Sequence, residues 1–351
     1  MGMATLTIGN RRIGPGAPVF VIAEAGVNHN GDVGLAKRLI DSAAEAGADA
    51  VKFQTFKAEH VAAPTAPKAA YQLQTTATSE SQLEMLRRLE LAPAAYRELQ
   101  AYCQQRGVFF LSTPFDEDSA DLLDDLAVPL FKIASGEITN WPFLEYVARK
   151  GKPLILSTGM AYLSEVDEAV RVIRDTGNDQ LVLLHCVSNY PAAPADANLR
   201  AMHTMATALQ VPVGYSDHTP GLEVALAAVA LGACVLEKHF TVDKRLPGPD
   251  QRSSLEPSEL RAMVSGIRTV EQALGSGSKL PARSEADNRQ SVRRSLAAAR
   301  AIPSGTVLSA EMLRALRPAH GIAPTHLAQV VGRRTQRPLA AGQLLTWGDV
   351  G

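Results

Sequence analysis

Over roughly the first 275 residues, short apolar, β-branched runs alternate with longer stretches that are apolar on one side only. The runs are Phe20–Ala25, Ala50–Thr55, Val108–Thr113, Leu130–Ser135, Leu154–Thr158, Leu181–Val187, Val213–Ser216 and Cys234–His239. They are continuous rather than alternating, the pattern of parallel strands covered on both faces. Between them, Gly34–Ala46, Pro93–Arg106, Glu117–Leu126, Ser164–Thr176, Leu199–Leu209 and Leu222–Leu231 carry their apolar residues at helical spacing, and Glu256–Leu274 adds a last helix. Eight strand–helix units in succession predict an α/β fold, a (β/α)8 TIM barrel.

Two stretches break the rhythm. Lys57–Ser79 is polar and too long for a simple connection, so a lid or a partner contact is expected there. Gly275-Ser-Gly-Ser-Lys-Leu-Pro281 ends the alternation, which places the barrel within residues 1–280. Beyond it, Ser295–Leu308 and Arg337–Leu345 resemble each other loosely, each with an apolar strand, a glycine turn and another apolar pair. A small β-rich domain is expected over residues 285–351. A unit of that size buries little core by itself and is expected to lean on the barrel or on a second subunit.

Composition narrows the class. Hydrophobic residues are 46% and charged residues 20%, as in a soluble, well-packed globule. A net charge of -1 offers no footprint for nucleic acid or an anionic membrane. The N-terminus lacks the basic-then-apolar order of a signal peptide, and Leu6 stands where a myristoylation signal prefers Ser or Thr. No apolar run approaches the ~18 residues of a membrane span. Cys103, Cys186 and Cys234 lie in apolar surroundings and read as reduced thiols of a cytoplasmic protein.

The polar residues at the C-terminal ends of the runs carry the candidate chemistry: Glu24, Lys52, Thr113, Ser135, Ser157, Ser188, Asp217 and His239. Barrel enzymes build their sites at that face. His218, in Gly-Tyr-Ser-Asp-His-Thr, and His239, in Leu-Glu-Lys-His-Phe-Thr, end consecutive runs. Two neutral imidazoles there can hold a divalent cation with most of its coordination open, and Mn or Mg suits such a set at least as well as Zn. Asp217 is expected to orient this pair from behind, and Gln54 to reach a metal-bound water. Lys52 and Lys132 lie inside strand-like runs, where lysine needs a partner. With the hydroxyls of Thr113, Ser135 and Ser157 they form an anion cradle suited to phosphate; a Schiff-base lysine is the competing chemistry. Glu24 either pairs with Lys52 or handles protons, Glu137 is a candidate general acid or base, and Asp250 follows His239 on the last loop. Asn28-His-Asn-Gly-Asp32 is adequately explained as a turn and helix cap.

Taken together these segments resemble the sialic acid (N-acetylneuraminate) synthase family. The resemblance rests on Ala-Glu-Ala-Gly-Val-Asn-His-Asn-Gly-Asp, Val-Lys-Phe-Gln-Thr-Phe, Leu-Ser-Thr-Pro-Phe-Asp, Lys-Ile-Ala-Ser-Gly-Glu, Leu-Ser-Thr-Gly-Met, Tyr-Ser-Asp-His-Thr and Glu-Lys-His-Phe-Thr with Gly-Pro-Asp, in that order. The tail resembles the family's antifreeze-like (SAF, β-clip) domain through Arg-Arg-Ser-Leu and Leu-Arg-Pro-Ala-His-Gly-Ile. The resemblance implies condensation of phosphoenolpyruvate with an N-acetylated amino sugar, N-acetylmannosamine first among the candidates. It implies that Lys52, Thr113, Lys132, Ser135, Ser157 and Ser216 hold phosphoenolpyruvate and that His218 and His239 hold Mn or Mg. It implies proton handling or positioning by Glu24, Glu137 and Asp250, and sugar contacts from Gln54, Ser188, Asn189, Tyr190 and Arg317. It also implies a domain-swapped homodimer in which Arg317 reaches the partner's site. Two positions depart from the family. Ala319 follows Arg317-Pro318 where a glycine is common, and Ser188 stands where some members carry asparagine. Both bear on the acceptor, and a diacetylated trideoxyhexose, as in legionaminate or pseudaminate synthases, is the alternative to N-acetylmannosamine. A non-catalytic sugar- or ice-binding protein built on the tail is the reading from another class.

Overall fold

The computed structural model describes residues 5–76 and 79–351. The chain divides into two compact units, Met1–Gly275 and Ser276–Gly351. The first opens with a hairpin of β1 (Leu6–Ile8) and β2 (Arg11–Ile13), paired antiparallel. Eight strands follow: β3 (Phe20–Gly26), β4 (Ala50–Thr55), β5 (Phe109–Pro114), β6 (Phe131–Ile133), β7 (Leu154–Ser157), β8 (Leu181–Cys186), β9 (Val213–Asp217) and β10 (Val235–His239). They pair in parallel with their sequence neighbours from β3 to β5 and from β6 to β10, and β10 returns to pair with β3. β5 and β6 end this order and lie beside each other, which closes the expected TIM barrel.

Helices α1 (Val33–Ala46), α2 (Ala58–Val61), α3 (Ala70–Thr75), α4 (Gln82–Leu89), α5 (Pro93–Arg106), α6 (Glu117–Asp125), α7 (Trp141–Ala148), α8 (Leu163–Asp175), α9 (Arg200–Leu209), α10 (Glu223–Ala230) and α11 (Pro257–Leu274) fill the connections. Local signals set their ends. Asp32 caps α1 through Leu35 N, and Gly47 ends it with φ 81°, a left-handed conformation that favours glycine. The stretch Lys57–Ser79, expected as an extended lid, contains α2 and α3; part of it lies outside the described residues. Leu130–Ser135 is strand only over Phe131–Ile133, because the chain turns into a 3-10 segment at Ser135–Glu137.

Side-chain alternation stratifies the barrel. Inward residues at the strand starts, such as Phe20, Ile22, Leu111, Ile155, Val182 and Val235, form an apolar cluster with Leu6, Ile8 and Ile13 of the hairpin, which plugs that end. Outward residues such as Val21, Phe53, Leu156 and Leu236 pack against the helices in a larger cluster. Polar inward residues occur only toward the strand ends.

In the second unit, β11 (Ser295–Ala298) pairs antiparallel with β12 (Leu313–Leu316). The two loosely similar segments face each other through the bridges Ala297↔Leu344 and Ile302↔Leu339. Leu296, Ile302, Leu308, Val330, Leu339 and Leu345 form its own core. The preceding helix α12 (Ala286–Val292) has no buried residue.

Candidate active site

The site is built by strand alternation. In β10, Val235 joins the inner apolar cluster and Leu236 the outer one, so Glu237 and His239 face inward and Lys238 faces the helices. The same logic turns Glu24, Lys52, Lys132, Ser157 and Ser216 into a cavity of about 450 Å3 at the strands' C-terminal ends. β4 also contributes Gln54, loops add Ser135, Ser188, Tyr190, His218 and Asp250, and the segment from α3 to α4 adds Tyr71, Gln72 and Leu86.

The floor is charged and buried. Lys52 Nζ lies 2.8 Å from Glu24 Oε2 and 3.7 Å from Glu237 Oε2, and donates to Thr113 Oγ1 at 2.9 Å. Lys132 Nζ lies 3.5 Å from Glu237 Oε1, and its one hydrogen bond, to its neighbour's carbonyl at Ile133, is long at 3.3 Å. Ser216 Oγ donates to Glu237 Oε1 at 2.9 Å. Burial pushes the Glu24 carboxyl up to about 7 against the pull of Lys52. Burial also disfavours the Glu237 carboxylate, but Lys132 and Lys52 outweigh it and hold that group at about 2. Burial lowers the Lys132 ammonium, whereas at Lys52 the two glutamates overcome burial and raise it. Lys132 is therefore the cation with unused donors, beside a Ser157 hydroxyl that is buried without a partner. Ser135 Oγ accepts from Gly159 N at 2.9 Å and lies 3.2 Å from Cys186 Sγ. A Cβ at Gly159 would come within 2.2 Å of Ser188 Oγ, so this convergence of three loops requires glycine.

The other wall carries the imidazoles. His218 Nδ1 donates to Val187 O at 2.6 Å, which leaves Nε2 as the lone-pair nitrogen. The His218 and His239 rings lie 5.6 Å apart, and His239 Nδ1 is buried without a partner, 3.9 Å from Asp250 Oδ2. Burial lowers both histidines, so both are neutral, and burial raises Asp250 to about 6. Two neutral imidazoles, one with an orphaned nitrogen, fit a divalent cation held by His218 and His239. The Tyr190 ring lies tilted against His218, 4.2 Å between centroids, with Tyr71 behind it at 5.1 Å.

Three expected residues are not brought into this cavity. Glu137 is half-buried and accepts from Asn140 Nδ2 at 2.7 Å, outside the lining. Asn189 is exposed while its neighbours Ser188 and Tyr190 face inward. Arg317 belongs to the second unit. Asp217, expected behind the metal, points to the helix layer and pairs with Lys238 at 2.6 Å. Glu237 is the central residue that sequence pattern does not single out. A further cluster, His60, Asp116 and Asp118, has an Asp116 carboxylate already occupied by the backbone N–H groups of Ser119 and Lys57.

A (β/α)8 barrel with a lysine–hydroxyl floor and a histidine pair at its mouth is a fold and a site that this chain shares with relatives named as synthases. The chain belongs to the NeuB family, whose pattern matches residues 39–279, and a SAF domain follows at residues 293–351. It is 50% identical over 316 residues to the N,N'-diacetyllegionaminic acid synthase of Campylobacter jejuni, covering 90% of this chain and 95% of that protein. The Legionella pneumophila protein of the same name is 50% identical over 335 residues, covering 94% of each. The N-acetylneuraminic acid (sialic acid) synthetase of Leptospira borgpetersenii superposes with a TM-score of 0.72 at 38% identity, over 82% of this chain and 95% of that one. Among the described residues, no helix is long and apolar enough to cross a membrane.

Proposed function

We propose that the protein condenses phosphoenolpyruvate with a diacetylated trideoxyhexose and water, giving N,N'-diacetyllegionaminic acid and inorganic phosphate. The observation that carries this reading is one cavity holding both an underused buried cation with the unpartnered Ser157 hydroxyl and a neutral histidine pair. Two relatives at 50% identity named for N,N'-diacetyllegionaminic acid support this acceptor over the N-acetylmannosamine expected from sequence.

Lys132 and Lys52, with Thr113, Ser135, Ser157 and Ser216, bind the phosphate and carboxylate of phosphoenolpyruvate through charge-assisted hydrogen bonds. Glu237 stays ionised and holds the two ammonium groups apart. His218 and His239 would hold Mn or Mg, which supplies Lewis acidity at the sugar aldehyde. The enol C3 of phosphoenolpyruvate bonds to the aldehyde carbon, and the aldehyde oxygen takes a proton. Water adds to C2 and gives up a proton, and the tetrahedral C2 then expels phosphate to leave the keto group. Glu24, whose carboxyl is raised by burial and so made more basic, suits the proton from water, and Gln54, whose Nε2 donates to Glu24 Oε1 at 3.3 Å, orients it. Asp250, beside His239, serves the sugar side.

A homodimer completes the reading, with Arg317 of a second copy at the acceptor. Residues 272–294 are exposed throughout, and they include Leu274, Leu280 and Val292. The segment is otherwise largely polar, and its three uncovered apolar side chains suit a subunit contact.

The test supplies purified protein with phosphoenolpyruvate, Mn(II) and either sugar, reading phosphate release and product mass, with light scattering on the same sample. The expected result is a dimer that forms the diacetamido nine-carbon acid at least tenfold faster than N-acetylneuraminate. Preference for N-acetylmannosamine removes the acceptor assignment, and no phosphate release with either sugar removes the reaction. Lys132, buried and lowered, also has the character of a Schiff-base lysine; a borohydride-trapped adduct would establish that chemistry instead.

A further inference from the structure

The outer faces of β9 and β10 carry an ion pair that the condensation does not use. Lys238 and Asp217 are each 1% exposed. They are direct cross-strand partners in the ladder, and Lys238 Nζ donates to Asp217 Oδ2 at 2.6 Å. The same ammonium donates to Thr219 O at 2.7 Å, and Asp217 Oδ1 accepts from Thr219 N at 2.9 Å and from Thr219 Oγ1 at 2.7 Å. Residues 217–219 are thus tied into a closed turn whose two ends are both held by Lys238. His218 is the residue in the middle of that turn. His239 is the residue that follows Lys238.

We propose that Lys238 and Asp217 are positioning residues that set the separation of the two imidazoles at the cation site. The argument is geometric. On the inner face, Ser216 and Glu237 join the same two strands one rung earlier. On the outer face, Lys238 and Asp217 join them at the last rung, immediately before the chain leaves the sheet as a loop. Without that tie, His218 is held among the described residues by the Nδ1 bond to Val187 O, the bond from Ala192 N to its own carbonyl and a long 3.4 Å contact between its Nε2 and Ser216 Oγ. A buried pair costs desolvation and is weak support for stability by itself. Its retention here, directly behind both candidate ligands, is explained by the register it imposes. Outer-shell partners of metal ligands typically contribute about 10–100-fold in metal affinity.

This inference rests on the histidine pair being a cation site, and the experiment separates the two. Mn(II) binding is measured on the full-length protein by electron paramagnetic resonance of the free ion, and phosphoenolpyruvate binding by calorimetry without metal. Lys238→Met is expected to weaken Mn(II) binding about tenfold or more and to change phosphoenolpyruvate affinity less than twofold. Because this variant leaves Asp217 buried without its partner, Asp217→Asn/Lys238→Met removes both charges and is expected to fold and to show the same split. Wild-type Mn(II) affinity in a folded variant overturns the positioning role, as does an equal loss for both ligands. No saturable Mn(II) binding by the wild type, or full binding by His239→Ala, overturns the cation site and this inference with it.

Discussion

Lys132→Met is expected to lower kcat/KM for phosphoenolpyruvate by about two to three orders of magnitude while leaving the barrel folded. Lys132 is 3% exposed, and its ammonium has only a long bond to Ile133 O and the Glu237 carboxylate at 3.5 Å. Its remaining donors face the cavity. An arriving phosphate would find a desolvated cation already in place, and losing one partner of such a pair costs about 3–5 kcal/mol. At ~1.4 kcal/mol per factor of ten, that is the loss stated. Methionine fills the space and leaves Lys52 and Ser216 to satisfy Glu237, so the melting temperature should hold. Steady-state kinetics with a thermal melt check the result. A loss below tenfold with KM for phosphoenolpyruvate unchanged would remove Lys132 from the cradle.

Chelation of the wild type is expected to stop turnover reversibly, and His239→Ala to stop it irreversibly. His239 is the cleaner substitution of the two. Its Nδ1 has no protein partner, whereas removing His218 strands the Val187 carbonyl. Lewis-acid assistance at a carbonyl is worth several kcal/mol, so the variant should fall by about three orders of magnitude or more. Phosphoenolpyruvate should still bind, because the lysines lie on other strands. Added Mn(II) should restore the chelated wild type and leave the variant inactive. Turnover that survives both treatments would show that the imidazoles act without a cation.

Much of this site is legible in the chain because a parallel barrel writes it at predictable places. Thr113 and His239 close an apolar run, Glu24 and Ser157 stand one residue before the end of theirs, Lys52 lies inside its run, and strand alternation turns all five toward the cavity. Glu237 is not legible in that way. In Leu-Glu-Lys-His, two opposite charges sit side by side, and only the register decides which enters the barrel. The ladder turns Glu237 inward and Lys238 outward, and it places Asp217, expected to orient the histidine pair from behind, on the outer face beside Lys238. Ser188 and Asn189 pose the same difficulty on a loop, where no periodicity assigns the inward side chain. The β1–β2 hairpin escapes notice because strands of three residues are too short to show alternation. The helices between residues 57 and 90 are obscured by Pro64 and Pro67, which make the segment read as extended.

The hairpin plug also governs traffic. With Leu6, Ile8 and Ile13 sealing the far end, reactants and products share the mouth at the strand tips. The lysine floor lies deeper than the half-buried Gln54, Ser188 and Tyr190 around that mouth. An acceptor sugar seated there blocks the path to the floor. For the proposed reaction, phosphoenolpyruvate is therefore expected to dock first and the sugar second, with phosphate departing after the nine-carbon acid has cleared the doorway. The signature of this queue is a dead-end sugar analogue that inhibits uncompetitively against phosphoenolpyruvate; noncompetitive inhibition would mean that the two ligands reach their places by separate routes.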